Sequence, residues 1–136
     1  MAYFKFAKKI MADEPIQIYN NGDMLRDYTY IDDIIAGVLA VLCNPPARDE
    51  KGAFYKLYNI GNHHPVKLMD FIRVLEECLG KEAKKEFQPM QKGDVYQTYA
   101  DVSGLMEDFG FKPDTSVEEG LARFCSWFLD YYHYRQ

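Results

Sequence analysis

Histidine and cysteine are scarce here, at three residues each in a chain of 136, and there is one tryptophan. Cys43, Cys78 and Cys125 are odd in number, far apart and each set in an apolar run, with no Cys-x-x-Cys pair. A disulfide framework and a thiolate zinc site therefore both lack their ligands. The three read as buried free thiols, which suits a reducing cytoplasm. No run approaches the roughly eighteen apolar residues that a membrane-spanning helix needs, and no leader with a basic start and an apolar middle is present, so neither a membrane nor a secreted location gains support. Basic charge is also lacking: sixteen Lys and Arg stand against twenty-one Asp and Glu, a net charge of −5. That balance argues against general electrostatic binding of nucleic acid, so any phosphate site has to be local.

What is present is apolar and aromatic. Of all residues 48% are apolar and 15% are Phe, Trp or Tyr, enough for a real core with aromatic surface to spare. The length suits one globular unit over residues 1–136. Residues 1–13 place Tyr3, Phe6, Ala7, Ile10 and Met11 near one face of a helix, which Pro15 ends. Alternation predicts a short strand over 16–19 and a second over 26–30, with an Asn-Asn-Gly turn between them. Asp32 or Asp33 can cap the apolar helix through Ile34, Ile35, Val38, Leu39, Val41 and Leu42, which reads as core and stops at Asn44-Pro45-Pro46. A strand over 54–60, a His63-His64-Pro65 loop and a helix over 66–80 follow. Then come a weak strand over 85–88, a Gly93-Asp94 turn, a strand over 98–100, and a brief helix capped by Asp101 that ends at Gly110. Thr115 and Glu118 have capping-box spacing for the last helix, whose face of Leu121, Phe124, Cys125, Phe128, Tyr131 and Tyr132 reads as packing surface. The pattern is an α/β mixture, α+β-like, with short strands, four or five helices and no complete parallel sheet.

Arg26 is the residue most open to a functional reading. A turn-forming Asn20-Asn21-Gly22-Asp23 precedes it and a short strand carries it. Its planar fork can hold two phosphate oxygens at once, which a lysine cannot do with the same specificity. It can equally pair with Asp23 or Asp27 on the surface. His63 and His64 have no carboxylate or cysteine at ligand spacing, so no metal site is expected, and Asp32, Asp33 and Asp101 are accounted for as helix-capping acids.

Taken in order, residues 19–33, Tyr58-Asn59-Ile60-Gly61-Asn62, Gln88-Pro89-Met90-Gln91-Lys92-Gly93-Asp94-Val95, Thr98-Tyr99-Ala100-Asp101 and Gly110-Phe111-Lys112-Pro113 resemble one family. It is the extended short-chain dehydrogenase/reductase family of nucleotide-sugar epimerases and dehydratases. Within it the similarity is to the C-terminal part of bacterial UDP-glucuronate 4-epimerases, and it spans nearly the whole chain. The resemblance implies a division of labour. An N-terminal Rossmann half binds NAD with a Gly-x-x-Gly-x-x-Gly loop and carries a catalytic Tyr-x-x-x-Lys pair. Neither motif occurs here: Tyr3 is followed four places on by Ala7, and Tyr55 by Asn59. The chain thus reads as a C-terminal nucleotide-sugar-binding region that has no catalytic residue of its own and is inactive alone.

The family reaction takes hydride from C4 of the sugar and returns it to the opposite face of a 4-keto intermediate, so the nucleotide must stay anchored while the sugar turns. Carried over by position, the resemblance implies that Arg26 contacts the UDP diphosphate, that Tyr19 packs beside the uracil, and that Tyr28 lies near the ribose. Gln91 and Asp94 fall in the segment that reaches the phosphates and ribose. Gln91 stands where UDP-galactose epimerases have a second arginine, which narrows the match to the glucuronate branch; Lys92 and Tyr96 replace expected prolines. The parent enzyme is expected to be a homodimer that pairs through helices of the other half. Dehydration or decarboxylation of a nucleotide sugar remains an alternative within the class, and a free-standing protein-interaction module is the alternative outside it.

Overall fold

The computed structural model describes residues 2–134 of the chain; Met1 lies outside them. Helix α1 (Ala2–Met11) leads into β1 (Ile16–Ile18), and a tight turn follows before β2 (Leu25–Asp27) and helix α2 (Ile31–Cys43). Strand β3 (Pro65–Lys67) runs directly into α3 (Leu68–Leu79), followed by β4 (Lys85–Phe87), α4 (Ser103–Phe109) and α5 (Val117–Tyr131). The strands form two separate pairs. β1 lies parallel to β4 with Gln17 opposite Glu86, and β2 lies antiparallel to β3 with Arg26 opposite Val66. Short strands in isolated pairs match the expected α/β mixture without a complete parallel sheet.

The core forms where α3 and α5 pack together and α1 closes over them, with β1 beneath. Ile10, Ile16, Ile18, Ile72, Leu75 and Phe128 are each almost wholly removed from water, worth roughly 1.5–3 kcal/mol apiece relative to exposure. Helical spacing sets this up: Leu68, Phe71, Ile72, Leu75 and Leu79 fall on one face of α3. Gly80, at φ 66°, ends that helix in the left-handed conformation and donates its N–H to the carbonyls of Glu76 and Glu77.

Several sequence expectations give way to tertiary packing. α2 is not core: of its residues only Gly37 is buried, while Ile35 is 50%, Leu39 52% and Leu42 72% exposed. A Cβ on Gly37 would sit 3.0 Å from Ile60 and 3.1 Å from Phe111, so one side of α2 is packed and the rest of its apolar surface has no cover among the described residues. Hydropathy shows that a helix needs burial but not against what. The strand expected over 54–60 has no strand pairing, and Phe54, Tyr55 and Leu57 are exposed. A strand requires a neighbour to bond with, and here the segment is tied instead by side chains: the Asp108 carboxylate accepts from Lys56 Nζ and the Tyr58 hydroxyl. Residues 98–100 form no strand; the neighbouring Gln97 makes an isolated bridge with Leu25.

The caps shift too. Tyr30, not an aspartate, is the residue before α2, and the Asp33 carboxylate reaches across the fold to accept the Thr115 N–H at 3.0 Å. α5 is capped by Ser116, whose Oγ accepts from Glu119 N at 3.1 Å. Asp101 does satisfy the start of α4, accepting from both the N–H and the hydroxyl of Ser103. α3 begins at Leu68, since 65–67 are taken by β3. Of the three free cysteines only Cys125 is buried; Cys78 is intermediate and Cys43, at the end of the uncovered α2, is exposed.

Candidate functional site

The turn between β1 and β2 is built from three consecutive residues in the left-handed region, Asn20 at φ 50°, Asn21 at φ 51° and Gly22 at φ 82°. Asparagine tolerates this region better than other side chains, and glycine is unhindered there. Asn20 Nδ2 donates to the Asp23 carbonyl at 2.6 Å, and the Asn21 N–H donates to the Gln88 carbonyl at 3.0 Å, which fixes the turn to the end of β4. A Cβ at Gly22 would also lie 2.7 Å from Met69 Sδ, so that side chain would have to shift. This tight reversal delivers Arg26 to the rim of a cavity.

That cavity has a volume of about 280 Å³ and is lined by Tyr19, Arg26, Tyr28 and Asp94 together with Phe6 and Gln17, among others. Four of the five positions singled out from sequence thus meet in one concavity, although they are separated by up to 75 residues in the chain (94 − 19). Gln91 does not line it; its carbonyl accepts the Asp94 N–H at 3.1 Å and closes the exposed turn that carries Asp94.

Arg26 is half held by main chain and half by a carboxylate. Nη1 donates to the carbonyls of Leu25 at 2.8 Å and Tyr96 at 3.0 Å, and Nη2 donates to Asp94 Oδ1 at 2.8 Å. The open choice between Asp23 and Asp27 as a surface partner resolves to neither. Asp23 accepts from the Tyr96 hydroxyl at 3.1 Å, which raises the pKa of that phenol. Asp27 turns toward backbone N–H groups on the other side of β2. Tyr28 stacks on Phe71 with ring centroids 4.1 Å apart and planes at 16°, and burial pushes its phenol up to about 12. It therefore faces the cavity as a neutral aromatic. The Tyr19 hydroxyl donates to Gln17 Oε1 at 3.3 Å, which orients its ring at the end of β1.

Asp27 is the residue that local sequence reading misses. It borders a second hollow of about 270 Å³ with Asn59, Gly61, Thr98, Tyr99 and Ala100. One carboxylate oxygen accepts from the N–H groups of His63 and Ala100, and the other is buried without a protein partner. His63 is engaged as well: its Nδ1 donates to the Ala100 carbonyl at 2.9 Å, and Nε2 lies 2.6 Å from the Tyr99 hydroxyl. No cluster of three or more metal-ligating side chains exists among the described residues.

A dinucleotide would need a strand, a glycine-rich turn and a helix N-terminus in succession. β3 enters α3 with no intervening residue, and β2 reaches α2 through Tyr28-Thr29-Tyr30. No described helix is long and apolar enough to cross a membrane.

The model of a family described as GDP-mannose 4,6 dehydratase matches residues 3–124. This chain belongs to that family. Among its relatives, an uncharacterised protein of Methanocaldococcus jannaschii, MJ1055, is 50% identical over 130 residues, covering 96% of this chain and 38% of its own. UDP-glucuronate 4-epimerase 1 of Arabidopsis thaliana is 40% identical over 98% of this chain and 34% of its own. The crystal structure of UDP-glucuronic acid 4-epimerase from Bacillus cereus, in complex with UDP-glucuronic acid and NAD, superposes with a TM-score of 0.82 at 32% identity, covering 97% of this chain and 40% of that one. The chain thus has the fold of one part of an extended short-chain dehydrogenase/reductase epimerase and spans between about a third and two-fifths of the length of these relatives.

Proposed function

We propose that this chain is the UDP-sugar-binding part of an NAD-dependent nucleotide-sugar epimerase, acting on UDP-glucuronate at C4 through a 4-keto intermediate and inactive without a dinucleotide-binding partner domain. The observation that carries the reading is the convergence of Tyr19, Arg26, Tyr28 and Asp94 on one cavity. It places aromatic faces suited to a uracil and ribose beside a cation suited to a diphosphate, and that is the chemistry of an anchor remote from the reacting carbon. The relatives named as UDP-glucuronate 4-epimerases favour epimerisation over the dehydration in the family's description. NAD and the catalytic tyrosine belong, on this reading, to the partner domain. The parent enzyme works as a homodimer in the reducing cytoplasm, where Cys43, Cys78 and Cys125 remain free thiols.

The exposed apolar residues of α2 and the unpaired 54–57 segment support a partner domain seated there. The same surface favours a second reading, a free-standing module that binds another protein. Calorimetric titration with UDP and with uridine separates the two. Binding of UDP with at least tenfold preference over uridine is expected of a diphosphate anchor; no binding of either ligand would leave the interaction module as the better reading.

A further inference from the structure

Asp94 Oδ1 has two donors: Arg26 Nη2 at 2.8 Å and the Val95 N–H at 2.8 Å. A guanidinium and a backbone amide converging on one oxygen is the donor pair that also holds a phosphate oxygen. Of the two terminal nitrogens of Arg26, Nη1 is committed to the Leu25 and Tyr96 carbonyls, which also fix the plane of the fork. Nη2 is the end available for exchange, and Asp94 occupies it.

We infer that Asp94 acts as a tethered stand-in for phosphate, and that a nucleoside diphosphate enters the cavity by displacing the Asp94 carboxylate from Arg26. This rests on the reading of the cavity as a UDP-sugar site and adds how that site selects its ligand. Both members of the pair keep contact with solvent, at 20% and 35% side-chain exposure, so the pair is weak enough to exchange. Departure needs little of the backbone. Asp94 follows Gly93, which sits at φ 84° in an exposed turn with open space around it, and a side-chain rotation moves the carboxylate off the fork.

Selectivity follows from the tether. A free carboxylate offers Arg26 nothing that Asp94 does not already provide, and it competes against a group held at high effective concentration. A monophosphate gains only modestly. A diphosphate brings more charge and several acceptor oxygens, enough to take Nη2 and the released Val95 N–H together. Asp94 thereby sets the threshold charge for occupancy and keeps the arginine neutralised when the cavity holds no nucleotide.

The test is calorimetry on the 136-residue chain at fixed ionic strength, with inorganic pyrophosphate, inorganic phosphate and UDP as the probes. Pyrophosphate has no ribose, so a contact between Asp94 and the sugar does not enter its affinity. Asp94→Asn, and independently the shorter Asp94→Ser, should bind pyrophosphate three- to tenfold more tightly than the wild type and acquire measurable phosphate binding, while Arg26→Gln loses both. Unchanged or weaker pyrophosphate binding in both Asp94 variants overturns the displacement role. If Arg26→Gln still abolishes UDP binding in that case, the UDP-site reading survives alone. Absence of UDP and pyrophosphate binding in every variant removes both.

Discussion

Asp27 and Ala100 are joined by a bond from the Ala100 N–H to Asp27 Oδ2 at 3.1 Å, and the same oxygen accepts the His63 N–H at 3.2 Å. Asp27 directly follows Arg26 in β2, and its carboxylate holds together three stretches of chain. Asp27→Ala leaves two amides without acceptors and should destabilise the fold by about 1–3 kcal/mol. Urea denaturation measures the loss. A midpoint equal to that of the wild type would mean that solvent replaces the carboxylate at no cost.

Gly61 lies against the same bond. A Cβ at this position would be 2.4 Å from Ala100 Cβ and 3.1 Å from Asp27 Oδ2. Ala100 Cβ cannot step aside without moving backbone, and the Asp27 carboxylate could do so only by loosening its bonds to the His63 and Ala100 amides, so Gly61→Ala should cost about 1–3 kcal/mol by overpacking. Gly52→Ala, in open space but at φ 79°, offers a comparison in which only backbone strain is paid. Thermal melting should place Gly61→Ala well below it.

Arg26→Ala removes a guanidinium that lines the cavity. The expected loss in UDP affinity is about 1.5–3 kcal/mol, the usual loss for a charged hydrogen bond. Full retention of UDP binding by this variant would take Arg26 out of the site.

The exposed face of α2 should make the chain self-associate. Leu39→Lys and Leu42→Lys replace residues that are 52% and 72% exposed, so stability should move by no more than about 0.5 kcal/mol. Sedimentation velocity should show association falling with these charges. Equal association before and after would direct attention to the exposed aromatics of α5 instead.

Alkaline pH should loosen the α3–α5 contact. Burial, reinforced by Cys78, pushes the Cys125 thiol up to about 12, and burial pushes Tyr28 to about 12 as well. The unfolded groups lose their protons nearer their ordinary values, about 8.5 and 10. Raised folded pKa values mean that the stabilising term is complete below the unfolded values and is lost as pH climbs toward 12. Urea midpoints should therefore decline from about pH 9 upward, and Cys125→Ala should flatten the lower part of that decline. At neutral pH iodoacetamide should label the exposed Cys43 well before the buried Cys125.

Much of the local architecture was legible because its causes are local. The faces of α1, α3 and α5 repeat at helical spacing, the left-handed Gly80 marks a helix end, and Asn-Asn-Gly announces the reversal before β2. Legibility failed wherever the deciding partner is distant in sequence. The cap of α5 falls on Ser116, one residue on, and the Thr115 N–H that a capping box would pair with Glu118 is taken by Asp33, from the far side of the chain. The 54–60 segment has the composition of a strand but no neighbour to make it one.

The sequence by itself determined which residues have chemistry to offer: an arginine after a turn, tyrosines at strand ends, an aspartate in a glycine turn, and helices whose apolar stripes must be covered. Those are properties of side chains and of spacing along the chain, and spacing is local. Only the tertiary structure decided that Arg26 spends its fork on Asp94 rather than Asp23 or Asp27, that Gln91 stays outside the cavity, and that α2 presents its leucines to the surface. Each of those outcomes depends on where a second stretch of chain arrives, and that is settled by the packing of α1, α3 and α5 around β1 and by the pairings of β1 with β4 and β2 with β3.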